Sequence, residues 1–285
     1  MGNNIRNTGE EMEKLEKWKK DLESIEHDLT DLCDAKSDFE KLRKDVLSVK
    51  DCKSKDKQFL DSFKVFAHLV LQGYVAFIVM GIRRQLKAGD NSISLYGTLK
   101  EILKEILKEI EQHHQCISKS YYISLYQHED VKFTNLTRNL EKFSDEEKKA
   151  VNEHAANSFK ENLKKGAEED WEEIIGDSEY LPSEVVENDI CKLKDSTKGI
   201  EDLADKYIAH HDRERDNIGI SLNTIDQALE NLGQIWSKYH NLLEGGPLKQ
   251  EELVVISTTL TSQFNNQKFF DEFEIWLKER LCGKK

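Results

Sequence analysis

Proline is nearly absent from this sequence, since two prolines in 285 residues leave long stretches in which nothing interrupts a helix. Charged residues make up 34% of the chain and hydrophobic residues 38%, a mixture that favours long amphipathic helices over sheets or disorder. An excess of basic residues is also lacking. The formal net charge of −13 repels polyanions, so we expect no general nucleic-acid binding.

We also expect no disulfide framework, no leader peptide and no helix that spans a membrane. The five cysteines are an odd number without a C-x-x-C pair, which argues against a disulfide framework or a zinc knuckle. Residues 1–11 are polar, unlike a signal peptide. In the most apolar stretch, residues 63–82, only residues 73–82 are free of polar side chains, which is too short to span a bilayer. We therefore expect a buried core helix there, no membrane partner and a cytoplasmic location.

Apolar residues recur at every third or fourth position along most of the chain, as in amphipathic helices. In the first such stripe they are Leu15, Trp18, Leu22, Ile25, Leu29 and Leu32. We favour packing of this stripe inside the molecule, with a dimeric coiled coil as the alternative. The predicted fold class is all-α, a multi-helix bundle of long antiparallel helices with little or no strand. Long helices are predicted at residues 15–49, 59–85, 95–118, 183–211 and 221–243.

Shifts in composition divide the chain into four segments. Residues 1–126 hold the N-terminal helices of the bundle, and residues 127–176 form a highly charged helical insertion that we expect to pack less tightly than its neighbours. Residues 177–246 return to the same bundle and end at a glycine pair followed by proline, a helix stop signal. Residues 247–285 form a C-terminal extension packing on the bundle, with a short strand predicted at 253–261 and a helix at 269–281.

Two groups of polar residues are candidates for chemistry. Residues 205–216 place His210 and His211 among acids and two arginines. Histidine transfers protons near neutral pH and arginine holds phosphate, so this cluster suits phosphodiester chemistry. The alternative is that its cations only complement a helix dipole. The second group is Arg83 and Arg84, which end the apolar helix and either pair with acids or extend into solvent.

Recognised metal and cofactor motifs are not found. Glu109, His113 and Cys116 share one predicted helix face, but three loosely matched ligands without a second cluster do not make a metal site. The sequence has no Walker loop, no G-x-S-x-G, no H-E-x-x-H and no dinucleotide fingerprint. We therefore predict neither a metal nor a cofactor.

Two segments, YVAFIVMGIRRQLKAGDNSISLYGTLKEI at residues 74–102 and LADKYIAHHD at residues 203–212, resemble the AbiU-type, HEPN-like abortive-infection family of prokaryotes. The resemblance implies a HEPN-like helical core. It also implies a metal-independent ribonuclease with an R-x(4-6)-H motif, whose site forms at a dimer interface. A homodimer is therefore expected.

The resemblance carries over to this chain residue by residue. His210 matches the motif histidine, whereas the positions of the motif arginine hold no arginine and are occupied by Leu203, Ala204 and Asp205. For the neighbouring His211, the shortest allowed spacing finds Lys206, which supplies charge without the bidentate fork of arginine.

The predicted site thus contains His210, Asp212 and Lys206. We predict that Arg83 or Arg84 lies near His210 and Asp212 and supplies the missing positive charge. The sequence then predicts a defence or toxin–antitoxin component, either a divergent ribonuclease acting on RNA or a degenerate relative that binds an antitoxin-like protein. The rival hypothesis is a non-catalytic helical interaction or scaffold protein.

Overall fold

The computed structural model describes residues 9–49, 57–87, 89, 92–110, 116–127, 145–204 and 221–245. These residues form seven helices and no strand, which confirms the predicted all-α class for the described part of the chain. The helices are α1 (Gly9–Val49), α2 (Lys57–Leu86), α3 (Leu95–Ile110), α4 (Lys119–Gln127), α5 (Asp145–Ile175), α6 (Ser183–Leu203) and α7 (Leu222–Glu244).

The predicted helices agree with the observed ones except around residue 118. There α3 ends at Ile110, and Ser118 instead pairs with Tyr180 in an isolated β-bridge. The short helix α4, which follows it, was not predicted. At the end of α7, Gly245 has φ = +75°, as expected for the predicted glycine stop. The predicted helix over residues 205–211, the strand at 253–261 and the helix at 269–281 lie outside the described residues.

The chain forms two compact units, each assembled from separated stretches. The first comprises Met1–Lys20, Lys100–Asn188 and Ser237–Lys249; the second comprises Asp21–Leu99, Asp189–Trp236 and Gln250–Lys285. The division into four sequence segments stays a prediction.

In the second unit, the apolar stripe of α1 is buried against other helices of the same chain. Leu22, Ile25, Leu29 and Leu32 are all buried. The Trp236 indole donates a 2.9 Å hydrogen bond to the Leu22 carbonyl, which joins α7 to α1. Phe39 of α1 stacks on Tyr74 of α2, with ring centroids 3.9 Å apart. The α1 stripe is thus used for packing inside the molecule.

The apolar helix α2 departs from its prediction. The stretch Val65–Leu86 has a mean hydropathy of 2.0 and is long enough to cross a membrane, yet only 17% of it is buried. A buried core helix was therefore wrong around Val65 and Leu69, which are exposed, and right around Ile78 and Ile82, which are buried. Its apolar side chains surround the helix, so covering one side leaves another open.

In the first unit, α4 packs on the last turns of α5 through aromatic residues. Tyr122 and Trp171 are fully buried, and the Trp171 indole donates a 2.7 Å hydrogen bond to the Ser178 carbonyl. The Tyr126 hydroxyl lies 2.9 Å from that of Tyr122 and donates to Asp170 at 3.1 Å. This end of the charged insertion is thus anchored by buried aromatic contacts, and the comparison of its packing with that of its neighbours stays a prediction.

Candidate functional site

The arginine pair ends α2 in the second unit, and Arg84 is held by an acid of α1. Its Nη1 lies 3.1 Å from Asp28 Oδ1. The Arg84 side chain remains 62% exposed, whereas that of Asp28 is only 22% exposed. The ion pair holds one edge of the Arg84 guanidinium. Because a guanidinium has five N–H donors, its remaining N–H groups can bind a ligand such as phosphate.

The residue after the arginine pair, Gln85, connects Asp28 to the start of α3. It is fully buried. Its Nε2 donates to Asp28 Oδ2 at 2.8 Å, and its Oε1 accepts a hydrogen bond from the Leu95 amide at 3.2 Å. One carboxylate therefore holds both Arg84 and Gln85, and Gln85 satisfies an N–H group at the first turn of α3.

Ser94 completes the connection between the two helices. Its hydroxyl accepts a 3.1 Å hydrogen bond from the Gly97 amide, as an N-cap does, and donates to the Lys87 carbonyl. Hydrogen bonds thus hold the turn between α2 and α3, and Asp28, which takes part in them, also holds Arg84.

Sequence reasoning identified Arg84 but missed Asp28 and Gln85. Both lie far from the histidine segment in sequence, and Asp28 is one acid among many on α1. The signal that could have found Gln85 is a polar residue at the buried end of an apolar helix, because a buried amide requires hydrogen-bond partners.

The histidine half of the predicted site, with His210, Asp212 and Lys206, lies outside the described residues. Helix α6 leads into it: Leu203 is half-buried and Ala204 fully buried. The proximity of Arg83 or Arg84 to His210 and Asp212 stays a prediction. The acid observed next to Arg84 is Asp28 of α1.

Burial shifts two further titratable groups in the second unit, Tyr74 of α2 and Cys33 of α1. Burial raises the pKa of Tyr74 to about 12, assisted by the negative charges of Asp226 and Glu40. Burial also raises the pKa of the Cys33 thiol, which therefore stays protonated and is not an activated nucleophile.

Within the described ranges, no group of three or more histidine, cysteine, aspartate or glutamate residues is placed to hold a metal ion. Of the loosely matched trio in the sequence, Cys116 is buried. The side chains of Glu109 and His113 lie outside the described part.

Comparison with known proteins supplies the family. The HEPN_AbiU2 family model, described as AbiU2, matches residues 15–259, a range that contains both the arginine pair and the histidine segment. No curated protein and no solved structure matches the chain. Because the match covers most of the sequence, the chain belongs to the HEPN-like AbiU2 family, as the resemblance predicted.

Proposed function

We propose that this protein is a divergent, metal-independent ribonuclease of a prokaryotic defence or toxin–antitoxin system, acting on RNA in the cytoplasm. The observation that supports the proposal is the family match across residues 15–259, which includes both the arginine pair and the histidine segment at residues 203–212. The geometry adds an exposed guanidinium, that of Arg84, held in a fixed place by Asp28.

In the proposed reaction, the 2′-hydroxyl of the RNA attacks the adjacent phosphorus while the bond from phosphorus to the 5′-oxygen breaks. His210 takes the proton from the 2′-hydroxyl or gives one to the leaving oxygen. Asp212 orients the imidazole, and Lys206 adds positive charge beside it. Arg84, or its neighbour Arg83, stabilises the charge that develops on the phosphate. The products are a 2′,3′-cyclic phosphate and a 5′-hydroxyl.

The experiment that tests this function is RNA cleavage in the presence of a chelator, comparing the wild type with His210→Ala. Loss of a general acid or base is expected to slow cleavage about 10²- to 10⁴-fold. The matched control is His154→Ala, because His154 is an exposed histidine on α5. Cleavage should weaken at high salt, since phosphate binding is electrostatic. Equal activity of His210→Ala and the control would contradict the proposal.

A homodimer is the proposed assembly, with the exposed stripe of α2 as its contact. Leu69 is 60% and Phe77 53% exposed, and Met80 extends the stripe at helical spacing. Between them, Gly73 has open space where a side chain would stand, so a second helix can approach closely. Together the exposed apolar side chains of α2 offer on the order of 500 Å², most of one side of a small protein interface.

Light scattering tests this assembly. We expect the wild type to be a dimer at micromolar concentration and Leu69→Glu/Phe77→Glu to be a monomer. The control is Ile93→Glu/Leu107→Glu, which places the same charges on exposed apolar residues outside α2 and should leave the dimer intact. If the wild type is a monomer, or if both variants dissociate equally, the proposed dimer contact through α2 is contradicted.

The second candidate is a non-catalytic interaction protein that binds an antitoxin-like partner. Two observations favour it: Ala204 is buried at one of the motif arginine positions, and Arg84 already has an acidic partner. This hypothesis is supported if the folded wild-type protein and the His210→Ala variant both fail to cleave RNA.

A further inference from the structure

A cleft of about 370 Å³ lies within the second unit, beside α6 and the turn that joins α2 to α3. It is lined by Leu86, Tyr96, Lys194, Asp195, Lys198 and Glu201. Its volume falls within the range of small-molecule pockets, about 300–1,000 Å³. The cleft is separate from the Arg84–Asp28 pair and was not identified from the sequence.

Two lysine side chains and an apolar floor give the cleft its chemistry. Lys194 and Lys198 stand one helical turn apart on α6, so their ammonium groups reach the same region. Lys194 Nζ lies 5.0 Å from the centre of the Tyr96 ring, a cation–π contact. Leu86 and Tyr96 are almost fully buried and form the floor. Two lysine cations therefore stand beside an apolar and aromatic surface, and ammonium groups are suited to bind phosphate.

The cleft is not simply cationic, because Asp195 and Glu201 also line it. The nearby carboxylate of Glu201 is one of the charges that raise the pKa of Lys194, after the hydrogen bond to Tyr96. A bare inorganic anion would be repelled by these acids. A ligand that combines phosphate with hydroxyl donors satisfies both groups, since a carboxylate accepts hydrogen bonds from a ribose hydroxyl.

We propose that this cleft binds a ribonucleotide unit of single-stranded RNA, with Lys194 and Lys198 on its phosphates and Asp195 accepting a hydrogen bond from a 2′-hydroxyl. The inference rests on the proposed function. The chain runs from α6 directly into the segment that carries His210, so the cleft would hold the strand on the helix that leads to the reacting group. The same chemistry occurs in a free nucleotide, which the experiment separates from RNA.

The test is the affinity of the full chain for a short, fluorescently labelled single-stranded RNA, measured by anisotropy. The titrations use a His210→Ala background so that the RNA stays intact. We expect Lys194→Gln/Lys198→Gln to weaken binding about tenfold and to flatten the slope of log K against log salt by about 1.4, since each phosphate contact on a single strand contributes about 0.7. Lys194→Arg/Lys198→Arg should restore both values.

The matched control is Lys160→Gln/Lys164→Gln, which removes two exposed lysines at the same spacing on α5. This control should leave the affinity and the salt slope close to those of the parent. Equal losses in both double variants, or no loss in the cleft variant, would overturn the proposal.

Two further measurements identify the ligand. DNA of the same sequence should bind more weakly than RNA, and Asp195→Ala should remove this preference. Equal binding of RNA and DNA by the parent protein would overturn the role of Asp195. Adenosine monophosphate competing as well as RNA would assign the cleft to free nucleotides instead. If cleavage requires His210 but RNA affinity does not change in the Lys194/Lys198 variant, the proposed role of the cleft is refuted and the ribonuclease proposal is not. If RNA binding depends on Lys194 and Lys198 but the wild type cleaves no RNA, the ribonuclease proposal is refuted and the proposed role of the cleft is not.

Discussion

Replacement of Gln85 by leucine tests the hydrogen-bonded turn that positions Arg84. The change keeps a similar volume at a fully buried position but removes both polar groups. The Leu95 amide loses its 3.2 Å acceptor, which costs about 1–3 kcal/mol for an unsatisfied buried donor. Asp28 loses a 2.8 Å hydrogen bond, worth about 1.5–3 kcal/mol to a charged group. Because Asp28 keeps Arg84 and some solvent contact, we expect a total near 3 kcal/mol.

Thermal unfolding followed by circular dichroism measures this loss. For a chain of this size, about 3 kcal/mol corresponds to a fall in Tm of roughly 6–12 °C. The control is Gln227→Leu, the same substitution on the exposed face of α7, which should change stability by no more than about 0.5 kcal/mol. A fall in Tm for Gln85→Leu no larger than that of the control would refute the account of Gln85 as the connection between Asp28 and α3.

Three further changes test other parts of the structure. Arg84→Ala should change the free energy of unfolding by about 1 kcal/mol or less, because its ion pair is largely exposed, while RNA cleavage falls at least about tenfold; a loss of stability without loss of cleavage would make the pair purely structural. Tyr74 keeps its proton in the folded protein up to about pH 12, whereas the unfolded chain loses it near pH 10, so stability should decline across that interval. Melting temperatures against pH should show a shallower decline for Tyr74→Phe; identical curves would contradict the shift. Trp171→Ala should destabilise the first unit by about 3–5 kcal/mol in urea unfolding, and a change below 1 kcal/mol would indicate a loosely packed insertion.

The sequence was sufficient for the long helices, apart from the end of α3, because their apolar spacing is regular. The stripe of α1, from Leu15 to Leu32, is buried as predicted. The sequence failed at α2 because hydropathy measures how apolar a helix is and not which of its faces another helix covers. Helix α4 was missed because it is short, and tertiary contacts hold it, including the 2.9 Å hydrogen bond from the Tyr121 hydroxyl to the Leu243 carbonyl.

The candidate site shows the same limit. The arginine pair was recognisable because a charged group at the end of an apolar helix is expected to have a partner, and the family match includes both arginines. Their partner Asp28 was not, because it lies on α1 and only the packing of α1 against α2 brings its carboxylate to Arg84 and Gln85. Local sequence patterns do not specify such pairs, which depend on how the helices pack.

In the proposed function, the chain cleaves RNA through the 2′-hydroxyl with His210 as the proton-transfer group and without a metal. Mass spectrometry of the cleavage products, formed in the presence of a chelator, tests it most directly. This mechanism produces a 2′,3′-cyclic phosphate on one fragment and a 5′-hydroxyl on the other, with no cut where the attacking nucleotide carries 2′-deoxyribose. Fragments ending in a 3′-hydroxyl and a 5′-phosphate, or cleavage that stops when the chelator is added, would contradict it.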